Sequence, residues 1–458
     1  MPALPILPPL SATPLLAGLA ALLLCGGAHA NCLDEDKLET LPAASAMPAA
    51  PVPAEPRRLL QQLVADALAR NHGVGAARLL AEAAEQDVGE DEAGSRPQAS
   101  LNASINPALE SAKGGGNSSL QARAGITLSQ TLYDGGRNDR LVDWRRQQAE
   151  AARLGLLTTQ EQIALTTTSM AFERSRYRMQ AVIYGQNVRK MGCLVQALET
   201  IVAADKGRTS ELVQARKQLQ QAELQQVQAQ SQARQVEARL RRMVGDGLPG
   251  AEGMATLMLA VPELPLVLSA AERSVEINQL GANANALREI ARVVEAGNKP
   301  QVSWNVGGSA LVSAGGGVTL GSPRSTSLSA GVTVSVPILN PAIDYSSQAA
   351  RKRAEAANLQ RADALEQRRQ RIVDVHEQAA NAFDRLKRVG LVLRDSDRLR
   401  NFTLQQWQQM GRRSLFDVIA SESDHYNLRV QYVNALHDGQ QMNATLTSLG
   451  TGLSAWLQ

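Results

Sequence analysis

The chain says the same thing twice. Arg96-Pro97-Gln98 recurs as Lys299-Pro300-Gln301, and Gly125-Ile126-Thr127-Leu128-Ser129 recurs as Gly331-Val332-Thr333-Val334-Ser335. Gly207-Arg208-Thr209-Ser210 recurs as Gly411-Arg412-Arg413-Ser414. The spacings of 203, 206 and 204 residues differ by small insertions, so the two copies are collinear. A period this long marks a duplicated, domain-sized unit and not a solenoid repeat. Each copy reads as a short helix, a strand, a loop, a second strand and then a very long helical stretch. Neither copy can bury its strands alone, which forces assembly. The copies are expected at residues 57–246 and 274–458, joined by a linker at 247–273 that holds Pro249, Pro262 and Pro265.

The strand segments carry a period of two. In Pro97 to Ile105, Ala99, Leu101, Ala103 and Ile105 alternate with Gln98, Ser100, Asn102 and Ser104. In Leu120 to Leu132, Leu120, Ala122, Ala124, Ile126 and Leu128 alternate with Gln121, Arg123, Gly125, Thr127 and Ser129. The second copy repeats this with Val302, Trp304, Val306, Ala310 and Val312, then with Leu328, Ala330, Val332, Val334 and Val336. Alternating segments of about ten residues fit tilted membrane strands with one lipid face and one watery face. They fit a half-buried soluble hairpin equally well. The connector Pro107 to Ser119, with Gly114-Gly115-Gly116, reads as an exposed loop.

Most of the rest reads as helix. Arg57 to Glu92 is expected to be helical, with Leu59, Leu60, Leu63, Val64, Ala67 and Leu68 on one face. No proline occurs between Pro107 and Pro249, and none after Pro341. Asp134-Gly135-Gly136 and Asn340-Pro341 stand where strand gives way to helix, with Asn340 suited to the N-cap and Pro341 to the first helical position. From Arg137 to Asp205 a helix of about 65 residues makes a rod of roughly 100 Å. After Gly207 a heptad seam runs through Leu212, Ala215, Leu219, Ala222, Gln226, Ala229, Ala233, Val236, Leu240 and Met243. The counterpart after Gly411 has two seams. One holds Phe416, Ile419, Ser423, Tyr426, Val430 and Val433; the other holds Leu428, Tyr432, Ala435, Gly439, Met442, Leu446, Leu449 and Leu453. Two stripes require neighbours on both sides, as in a wall of helices.

Composition narrows the function. A net charge of +3, from 47 basic and 44 acidic residues, supplies no global field for nucleic acid. Leu15 to Leu24 is almost wholly apolar and Ala28-His29-Ala30 offers a small-x-small site, so residues 1–30 read as a signal peptide cleaved after Ala30, although Met1 to Pro14 lacks a basic residue. Cys25 follows Leu24 and does not suit lipid anchoring. Five prolines from Leu41 to Pro56 make residues 31–56 a flexible or polyproline-II tail. After cleavage only Cys32 and Cys193 remain, enough for one pair at most. No segment beyond the signal is apolar enough for a transmembrane helix, so any membrane insertion must use strands.

Four membrane strands cannot close a barrel, because open edges leave backbone groups unpaired in lipid. Copies of the chain must pool them: two give eight strands with a filled bore, three give twelve with room for a channel. Cyclic symmetry would close the strand layer and the helical layer together.

Here the residues resemble a known family. Ser129-Gln130-Thr131-Leu132-Tyr133-Asp134-Gly135-Gly136-Arg137 is similar to the strand-to-helix signature of the TolC family of outer-membrane efflux proteins. Gly411-Arg412-Arg413-Ser414-Leu415-Phe416-Asp417-Val418 resembles its second-repeat helical turn, and Gly207-Arg208-Thr209-Ser210 the first-repeat version. The likeness covers residues 57–453. It implies a mixed α and β membrane protein: a homotrimer with a twelve-stranded β-barrel in outer-membrane lipid of a Gram-negative bacterium, continued by an α-helical coiled-coil barrel through the periplasm. It implies partners as well, namely a periplasmic adaptor (membrane fusion) protein and an inner-membrane ABC or RND-type pump, for drug efflux or type I secretion, and no cofactor. By the same resemblance the helical turns form a periplasmic tip where carboxylates constrict the entrance. Asp417 matches one such position, Arg413 a gate arginine, and Gln408 a position held by tyrosine in some members. A second family carboxylate falls on Ala420, which thins the ring. Gly207, Arg208, Gly411 and Arg412 would border the adaptor contact, the glycines suiting sharp turns. Three Asp417 carboxylates around an axis would attract cations; a solvated Asp417 stabilised by its helix dipole is the plainer alternative.

No enzyme is legible. His29, His72, His376, His425 and His437 lack metal-ligand spacing, and His425 and His437 read as surface or packing residues. The glycine runs at Gly114 and Gly315 lack the Lys-Ser/Thr of a phosphate cradle. The rival reading is a periplasmic adaptor or coiled-coil scaffold without a pore; an export-pathway enzyme is disfavoured by the missing site.

Overall fold

A computed structural model describes residues 54–112, 115–251, 253–315, 324–410 and 413–458. The expected signal peptide, nearly all of the tail at 31–56, and Cys32 lie outside the described residues. Cys193 is disulfide-bonded.

The first copy runs α1 (Ala54–Arg70), α2 (His72–Ala93), β1 (Gln98–Ala112), β2 (Gly115–Tyr133), α3 (Arg137–Ala204) and α4 (Thr209–Val244). A short α5 (Leu264–Ala271) follows. The second copy then runs α6 (Val275–Ala296), β3 (Gln301–Gly315), β4 (Arg324–Ser335), α7 (Pro341–Met410) and α8 (Leu415–Leu449), closed by α9 (Leu453–Leu457). Two expectations change. The helix expected at Arg57–Glu92 is two helices, because Asn71 leaves helical geometry (φ −74°, ψ 115°) and its side chain accepts the Val74 N–H, capping a new start. The connector Pro107–Ser119 is not a loop: β1 and β2 stay paired out to Ala112 and Gly115. A ladder already in register extends through residues of weak strand propensity, since each added pair satisfies backbone groups.

The four strands form one antiparallel sheet in the order β1-β2-β3-β4. Register keeps like with like. One face carries the rows Ala99–Leu128–Val306–Ala330 and Leu101–Ile126–Gly308–Leu328. The other carries Ser100–Thr127–Gly307–Ser329 and Asn102–Gly125–Ser309–Ser327. A one-residue slip at any ladder would exchange the faces, so the alternation read from sequence fixes the register. The apolar face is bare in a single chain, with Leu101 78% and Leu328 84% exposed. Strands β1 and β4 each pair on one side only. Among the described residues no helix is long and apolar enough to cross a membrane.

The long helices fold back as two hairpins, α3–α4 and α7–α8. On α4 the heptad seam is buried at Leu212, Ala215, Ala222, Ala229, Ala233, Val236 and Leu240, and its alanines allow close approach to α3. On α8 the second seam is buried at Tyr432, Ala435, Gly439, Leu446 and, beyond the helix, Leu453. Phe416, expected in the first seam, is instead 43% exposed, while Leu415 beside it is buried. In the first turn Leu415, Val418 and Ile419 take the inward positions and leave Phe416 outward. His425 and His437 are buried packing residues. Met191, Leu194, Val195 and Leu198 of α3, Leu212 and Ala215 of α4, Leu404 of α7, and Leu415, Val418 and Ile419 of α8 share one core. That core holds the two hairpin turns at one end of the molecule, with the sheet at the other.

Candidate functional site

The strand-to-helix junctions come first. The Asp134 carboxylate accepts backbone N–H groups from Gly136 (2.9 Å), Arg137 (3.0 Å) and Asn138 (2.6 Å), so one side chain satisfies three orphan donors of the first turn of α3. Gly135 and Gly136 have φ of +72° and +78°, the left-handed region that lets the strand turn into the rod. Lys299, from the repeated Lys-Pro-Gln motif of the other copy, donates to the Gly135 carbonyl at 2.9 Å. The first junction is therefore stitched to the start of β3. At the second junction Pro341 opens α7 as expected, and the Asn340 backbone carbonyl accepts from Ile343 N–H at 3.1 Å.

The tip is built from side-chain caps. Between α3 and α4 the chain makes one short 3₁₀ turn, Lys206–Arg208. Asp205 Oδ1 accepts the Gly207 N–H at 2.9 Å, and Thr209 Oγ1 donates to the Lys206 carbonyl at 2.7 Å. Gly207 is not among the residues of positive φ, so freedom of backbone is not its role; a Cβ there would sit 3.1 Å from Asp205 Oδ1. Arg208 stands 4.0 Å from the Asp205 carboxylate. On the second hairpin Ser414 and Asp417 form a reciprocal capping box: Ser414 Oγ accepts the Asp417 N–H and Asp417 Oδ2 accepts the Ser414 N–H. Arg413 Nη1 lies 3.9 Å from Asp417 Oδ2, and the Asp417 side chain remains 46% exposed. The arrangement brings Asp417 and Arg413 together. Gly411, Arg412 and the side chain of Gln408 lie outside the described residues.

Sequence reasoning missed the charges just behind the tip. Glu422 of α8, 1% exposed, lies 3.7 Å from Lys190 Nζ of α3 and 3.3 Å from Arg400 Nη1 of α7. Arg400 Nε also meets Asp397 at 3.0 Å. One carboxylate thus ties the first hairpin to both helices of the second in a water-poor interior, where an unpaired charge would be very costly. The available signal was a glutamate between the seam positions Ile419 and Ser423 of α8. Farther from the tip, Arg176 and Gln180 of α3 bond Asn434 of α8, and Gln440 and Asn443 of α8 donate to backbone carbonyls of Met254, Leu257, Met258 and Ala260. The first two bonds join the hairpins, and the rest hold the linker on α8. Burial pushes the His437 imidazole down to about 4. Among the described residues no group of three or more His, Cys, Asp or Glu could hold a metal.

An open four-stranded sheet on two long helical hairpins is the fold of a TolC-like channel subunit. Residues 63–246 match the family described as Outer membrane efflux protein. The match covers the first repeat alone, and over most of its length the chain has the fold of solved outer-membrane channels. Its structure is similar to the CusC channel, with TM-score 0.75 and 17% identity over 86% of this chain and 92% of that one. It is similar also to VceC of Vibrio cholerae (TM-score 0.70, 16% identity, 86% and 96% covered). The open state of MtrE from Neisseria gonorrhoeae matches with TM-score 0.69 at 16% identity over 86% and 89%. No curated protein matches the sequence. The family and these neighbours are channels, and nothing supports the adaptor or scaffold alternative.

Proposed function

We propose that three copies of this chain form the outer-membrane exit duct of a tripartite efflux or type I secretion system. Each chain contributes four strands to a twelve-stranded barrel in outer-membrane lipid and two helical hairpins to a tube reaching into the periplasm. The observation that carries the reading is the sheet itself: two unpaired edges and a bare apolar face, which lipid tolerates only when sister chains close the ring. The hairpin turns at the opposite end, with Gly207, Arg208, Gly411 and Arg412, then meet the periplasmic adaptor protein, and an inner-membrane ABC or RND-type pump drives the cargo. Asp417, Arg413 and Gln408 form the gate. Exposure of the Asp417 carboxylate beside a flexible arginine supports a ring that draws cations.

Outer-membrane fractionation, a heat-modifiable trimer and pores in planar bilayers are the expected results. A monodisperse, water-soluble single chain would refute the duct. Asp417→Ala is expected to lower cation selectivity or relieve block by polyvalent cations added at the tip side; unchanged selectivity and block would remove Asp417 from the gate.

A further inference from the structure

We infer that Arg123 forms a second, anion-attracting ring inside the strand barrel, an outer charge filter separate from the tip. The inference rests on the trimeric duct reading. The four strands hold three charged residues: Glu110 near the β1–β2 turn, Arg324 at the start of β4, and Arg123, the one away from the strand ends. Its place in the register decides its surroundings. Arg123 pairs with Ser104 on β1 and with Leu311 on β3, in the same face as Asn102, Gly125 and Ser309 and opposite to Leu101, Ile126 and Leu128. An arginine on the lipid face costs about 2–4 kcal/mol near the bilayer midplane. Register puts this one on the polar face, between Ser104 and Leu311 across the ladders and between Gln121 and Gly125 along β2. The side chain is exposed and has no hydrogen bond or ion pair among the described residues. A guanidinium stays charged at any physiological pH and presents a fork of donors to phosphate or carboxylate. Threefold symmetry repeats that fork around the bore.

Distance makes the ring independent of the tip. Arg123 lies eleven positions above Asp134 on the tilted β2, roughly 28 Å along the barrel axis. The 70-residue α7 adds roughly 100 Å before Asp417. Against a Debye length of about 8 Å, the two rings do not sense one another. The ligand class is a polyvalent anion bearing phosphate or carboxylate groups, whether solute arriving from outside or anionic cargo leaving.

The test uses the purified trimer in a planar bilayer with inositol hexakisphosphate added to the chamber facing the strand end. Voltage-dependent block is expected in the wild-type channel, weakening as KCl rises and the Debye length contracts to about 3 Å at 1 M. Arg123→Gln is expected to raise the half-blocking concentration about tenfold or more, the loss of a charge-assisted contact at the ring. Arg123→Glu should abolish block, and Arg123→Lys should retain most of it, which also shows that the site tolerates substitution. Equal block of Arg123→Gln and wild type, in pores of normal conductance, overturns this inference and leaves the duct standing. A wild-type protein that makes no pore overturns both.

Discussion

Replacing Glu422 with glutamine tests the account of what holds the two hairpins together. Glu422→Gln keeps the shape and deletes the charge, leaving Lys190 and Arg400, 8% and 5% exposed, without their shared counter-ion. Asp397 still faces Arg400 at 3.0 Å. Removing one partner of a buried pair typically costs about 3–5 kcal/mol, mostly the penalty of the stranded charge. For a chain of this length that lowers the unfolding midpoint by on the order of 5 °C. Detergent-solubilised channels tend to unfold irreversibly, so the assay is fluorescence-monitored melting at one fixed scan rate, with the rate of trimer loss in SDS alongside. The decisive variant adds compensation. In Glu422→Leu with Lys190→Met and Arg400→Met the buried charges are gone together, and stability is expected to return to the wild-type value or above. A Glu422→Gln protein that melts within about 1 °C of wild type would refute the clasp. So would a triple variant no better than the single one.

Two further outcomes follow from the geometry. His437 is buried, held by the Val433 carbonyl and pushed down to about 4, so the folded chain resists its protonation while the unfolded chain takes a proton near 6.5. Above pH 6.5 the residue is neutral in both states and contributes nothing. As pH falls from 6.5 to 4, stability drops by about 3 kcal/mol per chain, and His437→Gln should flatten that slope in melting curves; an identical slope would exclude His437 as its source. At the first junction, Gly135→Ala drives a Cβ to within 2.4 Å of Lys299 Cβ at φ +72°, whereas Gly136→Ala at φ +78° meets open space. The first is expected to cost about 2–3 kcal/mol and the second about 1 kcal/mol in melting experiments, and equal losses would show that Lys299 does not confine the turn.

What the chain alone determined is whatever its local periods encode. Alternation of two in Ala99–Ile105 and Leu328–Val334 dictated strands and their register, because side chains on a pleated strand take opposite faces whatever lies beyond. Heptads such as Leu212, Ala215 and Leu219 dictated paired helices. The collinear motifs pointed to two halves of like element order, and four strands that cannot close alone pointed to partner copies. The tertiary structure alone decided which distant residues meet. Lys190 finds Glu422, and Lys299 finds the carbonyl of Gly135, 164 positions away. It decided that Asp417 closes a capping box as well as facing solvent, and that Asn71 breaks a helix its neighbours would continue. Such pairings leave no trace in a local pattern, since a charge reads as solvated surface until a third helix arrives to exclude the water around it.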